Sequence, residues 1–135
     1  MSEQGSLPRT FRLGISSHPY QQFNNLPRGE VDHILEREWE KSFNCISFER
    51  LGADTLWAIF QGDDAVVVHK REIDQREMCS HNPVYDSAPD RDAYVRLSPD
   101  DEEDFSFPKR MVISKAAAKQ LVDKYLNGLA LTTLL

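Results

Sequence analysis

Residues 44–71 have the sequence NCISFERLGADTLWAIFQGDDAVVVHKR, and this stretch decides the fold. It contains three runs rich in β-branched and aromatic residues, which favour strands. Two short turns, Gly52-Ala53-Asp54 and Gly62-Asp63-Asp64, separate the runs. Turns of this length cannot hold a parallel crossover, so the three strands are predicted to form an antiparallel meander. The predicted strands are 44–51, 55–61 and 65–71.

Two amphipathic helices are predicted, one on each side of the meander in the sequence. Apolar residues at helical spacing indicate helices over 29–41 and 115–126. Ser114 is a good N-cap for the second helix, and Asn127-Gly128 is a typical helix stop. Each apolar stripe must be buried against a sheet, which predicts an α+β fold: an antiparallel sheet of about five to seven strands in a meander, with both helices packed on one face. The stripes are Val31, Ile34, Leu35 and Trp39, and Ala118, Leu121, Val122, Tyr125 and Leu126.

The segments outside this framework have weaker patterns. Alternating apolar residues predict a short strand over 11–15, whereas 16–28 has no period and is predicted to be a loop. Residues 1–10 are expected to form a flexible leader, followed by a single domain over 11–135. Three further short segments could add strands to the same sheet, and the tail ALTTLL could end as an edge strand. The three segments are 78–81, 93–97 and 105–107.

Composition argues against several classes of protein. The net charge of −6 disfavours general binding to nucleic acid or to an anionic membrane. The N-terminus has neither the basic start nor the apolar region of a secretory signal, and no apolar run is long enough to span a membrane. Cys45 and Cys79 are expected to be free thiols in a reducing compartment, with Cys45 in the core. A cytoplasmic protein is therefore expected.

The side chains that could perform catalysis or bind metal are scattered. If 78–81 is a strand, Cys79 and His81 project from one face, so a Cys/His dyad or half of a zinc site is geometrically possible. Structural zinc sites need four ligands at recognisable spacing, and this spacing is absent. The adjacent acids Asp63-Asp64 and Asp100-Asp101 are expected to be solvated. No catalytic residue, cofactor site or metal ligand is predicted.

One histidine and both tryptophans lie on predicted elements of the framework. His69 lies on a predicted strand and is expected on the surface, where it could face a partner. Trp39 and Trp57 lie on apolar stripes and are expected to be core anchors. None of the three is predicted to bind a ligand.

The acidic segment 86–104 is the most distinctive feature of the sequence. It holds eight acids and two bases and so carries the whole net charge of −6, because the remainder has 14 acids and 14 bases. Like charges in one stretch repel one another unless a basic partner relieves them, and tyrosines among them are favoured interface anchors. A solvated loop that aids solubility is the alternative. The predicted partner-binding residues are Tyr85, Asp86, Asp90, Asp92, Tyr94, Asp100, Asp101, Glu102, Glu103 and Asp104.

The order of these segments resembles the Imm-one family of immunity proteins, which neutralise deaminase-type and related toxins of bacterial polymorphic toxin systems. The resemblance covers about 44–135, through FERLGADTLWAIFQGDDAVVVHKRE, the acidic stretch and FSFPKRMVISKAAAKQLVDKYLNGLALTTLL. It lies in the strands around Gly62-Asp63-Asp64-Ala65 and in the Ala-rich helix ending at Tyr125-Leu126. The family commonly ends its last strand with a proline and then a tryptophan, whereas this chain has Ala130 and ends in leucines.

The resemblance implies an immunity protein that occludes the active site of a cognate, nucleic-acid-targeting toxin domain. Such toxins tend to be basic around the substrate cleft, so clustered carboxylates would steer the encounter. The alternative is an acidic protein-binding adaptor or a nucleic-acid mimic with no toxin partner, and a small hydrolase using Cys79 and His81 is a third hypothesis. No enzyme activity, no direct contact with nucleic acid or membrane, and a monomer or weak dimer are expected.

Overall fold

The computed structural model describes residues 10–16, 20–97, 106–129 and 131. These residues form nine strands and two α-helices. The strands are β1 (Thr10–Ile15), β2 (Gln21–Pro27), β3 (Phe43–Arg50), β4 (Asp54–Gln61), β5 (Asp64–Arg71), β6 (Glu77–Cys79), β7 (Tyr94–Arg96), β8 (Ser106–Pro108) and β9 (Ile113–Ser114). The helices are α1 (Arg28–Trp39) and α2 (Lys115–Leu126). None of the helices in these ranges is long and apolar enough to cross a membrane.

The predicted meander is confirmed. Strands β3, β4 and β5 pair antiparallel over their whole length, with Ala58 opposite both Ile46 and Val67. Gly52 (φ 76°) and Gly62 (φ 60°) supply the left-handed conformation that the two tight turns need. The full sheet has seven strands in the order β2-β1-β3-β4-β5-β6, with β9 also paired to β5. The α+β class is therefore confirmed.

The predicted loop over 16–28 is wrong, because β2 lies within it. This strand pairs with β1 and forms one edge of the sheet. The register shifts between Phe11 and Leu13, and Asn25 in the opposite strand has a left-handed φ of 56°. This irregularity interrupts the alternation of inward-facing and outward-facing side chains by which a strand is recognised. An edge strand also exposes much of both of its faces to solvent. For both reasons the sequence of β2 lacks the apolar/polar alternation that predicts a strand.

A second prediction about the sheet is also wrong. Strands β7 and β8 were expected to extend the main sheet, but they pair with each other in a separate two-stranded sheet. Their apolar residues Val95 and Phe107 pack on the main sheet instead of continuing it. Short strands carry little information about their pairing partner, so periodicity alone could not distinguish these outcomes.

The sheet has a core on each face. On one face, residues of α1 and α2 pack against the central strands around Phe48, Leu56 and Phe60, so both helices lie on one face as predicted. On the other face, Leu97 and Val112 cover alternate residues of the same strands. Trp39 and Trp57 are half-buried and pack against the first and second core, respectively. Cys45 is buried in the second core, as predicted, and both cysteines are free thiols.

Helix α2 matches its predicted bounds. The Ser114 hydroxyl accepts a hydrogen bond from the backbone N–H of Ala117 at 3.0 Å, which is the expected N-cap. At the other end, Gly128 has a φ of 73° and donates its N–H to the carbonyl of Tyr125 at 3.0 Å. The leader residues 1–9 and the tail residues 130 and 132–135 lie outside the described residues, and Thr10 is already part of β1.

Candidate partner-binding surface

Residues 82–97 and 106–112 form a layer on the sheet face opposite the helices, named here the outer layer. Ser80 joins this layer to the sheet, because its hydroxyl accepts from the Val67 N–H at 3.1 Å and donates to the Met111 carbonyl at 2.6 Å. Asn82 adds a bond from its side-chain amide to the Val112 carbonyl at 2.8 Å. The polar contacts and the buried Leu97 and Val112 hold the outer layer against β5 and its neighbours.

The acids of the outer layer form ion pairs with bases that are distant in sequence. Asp90 Oδ2 lies 2.6 Å from Lys109 Nζ, and Asp92 Oδ1 lies 2.9 Å from Arg110 Nε. A third acid, Asp86, is hydrogen-bonded to the His81 ring. The described part of the predicted site is thus a network of alternating charges, because the turn that follows β8 supplies Lys109 and Arg110 to acids near β7.

These ion pairs also change the ionisation of the acids. The hydrogen bond from Lys109 holds the pKa of Asp90 below its usual value, and the hydrogen bond from Arg110 does the same for the pKa of Asp92. Both carboxylates are exposed to solvent, where screening keeps such pairs weak. Their main effect is therefore to orient the side chains and to neutralise part of the acidic charge.

The two predicted tyrosines lie in this same layer. Tyr94, in β7, is 71% exposed, and Val84, in the same outer layer, is 80% exposed. Tyr85 is half-buried, and the Lys109 ammonium that pairs with Asp90 lies 6.0 Å from the centre of its ring. The structure therefore brings Tyr85, Asp90 and Lys109 together and leaves Tyr94 open to contact.

The other five predicted residues, Asp100, Asp101, Glu102, Glu103 and Asp104, lie outside the described residues. They belong to the segment that joins β7 to β8, since the described chain ends at Leu97 and resumes at Ser106. The pairing of β7 with β8 fixes the two ends of this segment beside each other.

Sequence reasoning missed a second acidic surface, which lies between the helices. An open groove of about 640 Å³ runs between α1 and the start of α2. Glu36, Glu40 and Asp63 line it and form no ion pair within the described residues, whereas Asp32 pairs with Arg28. The signal was present, because residues 32, 36 and 40 recur every four positions and therefore share one stripe of a helix. Leu35, Trp39, Ala116, Lys115 and Lys119 complete the lining.

The ammonium group of Lys115 lies in this groove. Lys115 Nζ lies 4.2 Å from the centre of the Phe60 ring and donates to the Lys41 carbonyl at 2.9 Å. Burial lowers the pKa of Lys115, although the charges of Glu40 and Asp63 act in the opposite direction. The groove is therefore zwitterionic, with carboxylates along α1 and ammonium groups along α2.

A buried cluster of ionisable groups lies at the start of β4. Asp54 accepts hydrogen bonds from Tyr125 Oη at 2.9 Å, from His69 Nε2 at 2.9 Å and from Arg50 Nε at 2.7 Å. Burial by itself would raise the pKa of Asp54, but these hydrogen bonds outweigh it and the pKa lies well below its usual value. The Arg50 guanidinium also lies 4.5 Å from the centre of the Tyr125 ring. We name these four residues the Asp54 cluster.

The expectation that His69 lies on the surface is wrong. It is 8% exposed and faces the helices, on the same side of β5 as Val67. The charge of Asp54 explains the location, because a buried carboxylate requires donors and His69 provides one. His69 Nδ1 is buried without a hydrogen-bond partner among the described residues.

The geometry gives no support to a site at Cys79 and His81. Cys79 is half-buried in β6, and burial raises the pKa of its thiol, which lowers the thiolate fraction that a nucleophile needs. His81 is engaged with Asp86 in the outer layer. Within the described ranges, no group of three or more His, Cys, Asp or Glu side chains could hold a metal ion.

Comparison of the chain with protein-family models, with curated proteins and with solved structures gives no match.

Proposed function

We propose that this chain is a cytoplasmic immunity protein that binds a basic, nucleic-acid-targeting toxin domain and occludes its active site. The observation that carries the proposal is Tyr94, which is 71% exposed on a strand that is fixed to the rest of the protein. A tyrosine held in this way buries a large area in a complex and loses little rotamer entropy. Val84, which is 80% exposed, adds apolar area to the same layer.

The charges around Tyr94 suit an interface rim. Asp90 and Asp92 are held in place by Lys109 and Arg110, so ordering them in a complex costs little additional entropy. The acidic residues 100–104, which follow β7 in the sequence, add five negative charges to the chain. These charges would attract a basic toxin surface over a distance of about 10 Å at moderate salt. The toxin would then dock on Tyr94 at the centre of the interface.

The test needs a toxin domain from a reading frame that neighbours the gene of this chain, and it measures binding to that domain and protection against it. Tyr94→Ala is expected to weaken the complex at least about 10-fold, because truncating a central aromatic anchor costs about 2 kcal/mol. Tyr20→Ala is the matched control, since Tyr20 is 61% exposed and lies outside the outer layer. Titration calorimetry gives the affinity, and growth of cells that express the toxin gives the protection. Equal effects of the two substitutions, or no complex at all, would contradict the proposal.

A nucleic-acid mimic is the second candidate, and the row of carboxylates along α1 favours it. Residues 32, 36 and 40 are spaced about 6 Å apart along the helix, and Glu36 and Glu40 form no ion pair within the described residues, so they leave two adjacent negative charges on this stripe. In this case Glu36→Lys with Glu40→Lys would abolish binding to a DNA-binding partner, whereas Tyr94→Ala would leave it unchanged. The reverse pattern is expected for the immunity function, so one pair of variants separates the two candidates.

A further inference from the structure

Strand β2 is an edge strand whose outer side has no paired strand among the residues that the structure describes. The strand is seven residues long and ends the sheet order β2-β1-β3-β4-β5-β6, and within the described chain it pairs only with β1. An exposed edge presents backbone donors and acceptors that another strand can use. Native edges are commonly protected by charged side chains, bulges or proline. Strand β2 (QQFNNLP) has no charged side chain, and its irregularity at Asn25 together with Pro27 confines the regular outer edge to residues 21–24.

The pairing of β1 shows which backbone groups of β2 point outward. The Ser16 N–H donates to the Cys45 carbonyl at 3.0 Å, so the even-numbered residues of β1 direct their backbone groups to β3 and the odd-numbered ones to β2. Leu13 lies opposite Phe23 in β2, and therefore Phe23 bonds to β1. Its neighbours Gln22 and Asn24 direct their N–H and C=O groups away from the sheet.

We propose that β2 is the interface of a homodimer in which two copies of the chain pair antiparallel along this edge. A two-fold axis at Phe23 places Gln22 of one copy opposite Asn24 of the other, and each of these residue pairs exchanges both of its N–H···O bonds. Strand β2 has no charged side chains, so pairing two copies along it places no like charges opposite each other and does not add to the repulsion between two acidic chains. This dimer goes beyond the toxin-binding role and does not depend on it.

Phe23 supplies the apolar centre of the interface. Its side chain is half-buried and packs at the margin of the core on the helix face. In the antiparallel pair, Phe23 of each copy occupies a non-hydrogen-bonded position, where the two Cα atoms lie about 4.5 Å apart and the side chains meet. Dimerisation would thus join two seven-stranded sheets into one and bury the remaining exposed part of both rings.

Disulfide trapping in the full chain tests this register. In a Cys79→Ser background, Phe23→Cys is expected to give a covalent dimer under mild oxidation, because the residue meets itself across the axis. Gln21→Cys is the matched control, since the axis places residue 21 opposite residue 25 of the second copy. Equal cross-linking at both positions, or none at residue 23, would overturn the proposal.

Sedimentation equilibrium tests the same edge without a new cysteine. Gln22→Pro removes an outward N–H from each copy and leaves the bonds to β1 intact, so the dimer dissociation constant is expected to rise roughly 30-fold. Gln22→Ala keeps the N–H and is expected to change the constant less than about 3-fold. Circular dichroism of both variants verifies the fold. A wild-type chain that stays monomeric up to millimolar concentration, or a dimer that Gln22→Pro does not weaken, contradicts the interface.

Discussion

Asp54 is the residue on which one end of the fold depends. Its carboxylate is buried at the start of β4, and it joins β3, β5 and α2 through Arg50, His69 and Tyr125. Tyr125 extends the network, since its hydroxyl also lies 3.3 Å from the Phe48 carbonyl. Removing one member of such a group leaves the others buried without their partners. The resulting decrease in the free energy of unfolding is larger than the net contribution of a single hydrogen bond.

Asp54→Ala is therefore expected to lower the free energy of unfolding by about 3 to 5 kcal/mol, because Arg50 and His69 lose their acceptor. Urea denaturation followed by circular dichroism measures the change. Asp64→Ala is the control, since Asp64 is the exposed first residue of the next strand and its loss should cost less than about 0.5 kcal/mol. A similar loss for both variants would show that the cluster does not stabilise the fold.

The Asp54 cluster also predicts the pH dependence of stability. The pKa of Asp54 in the folded state lies below its ordinary value of 3.8, so the folded state favours the ionised form. The resulting stability is complete above about pH 5 and is lost as the pH falls below 3.8 toward the folded value. The difference in unfolding free energy between wild type and Asp54→Asn should therefore shrink between about pH 6 and pH 3. A constant difference over this range would exclude the assigned linkage.

At the scale of the elements, α2 closes the core on the helix face. Leu121 is 6% exposed and packs in the same cluster as Leu56 and Val67. Leu121→Ala is expected to destabilise the fold by about 2 to 5 kcal/mol through lost burial and the cavity that remains. Gln120→Ala, on the exposed side of the same turn, should change stability by less than about 0.5 kcal/mol. Thermal unfolding of the two variants measures the contrast, and equal midpoints would show that the stripe is not buried.

The elements that the sequence predicted well are those whose pattern arises from burial on one or both faces. Strands β3 to β5 and helix α2 bury continuous or periodic apolar residues, and their bounds were predicted to within a residue or two. Strand β2 was missed, because it buries little and contains a left-handed residue, Asn25. The pairing of β7 with β8 was also missed, since strands of three residues do not specify a neighbour.

At the scale of the whole molecule, charge counted along the chain differs from charge arranged in space. The segment 86–104 has a net charge of −6, yet Asp90 and Asp92 are paired with Lys109 and Arg110, which lie 18 or 19 residues away. Sequence alone identified the acids and the exposed Tyr94, but it could not find these partners, because the β7–β8 pairing brings them together. Glu36, Glu40 and Asp63, which form no ion pair with any residue that the structure describes, make a second acidic surface on the opposite face of the sheet.

The two acidic surfaces predict different effects on toxin association. Reversing Asp100, Asp101 and Glu102 to Lys changes the net charge from −6 to 0, and reversing Glu36, Glu40 and Asp63 to Lys gives the same total. If residues 100–102 steer the toxin, the first variant should reduce the association rate about 10-fold or more at low salt and flatten its salt dependence. The second variant is expected to have a much smaller effect, since its charges lie on the helix face of the sheet, away from Tyr94 and the outer layer. Stopped-flow measurements at several salt concentrations compare them, and equal slowing would mean that net charge alone, with no particular surface, governs the encounter.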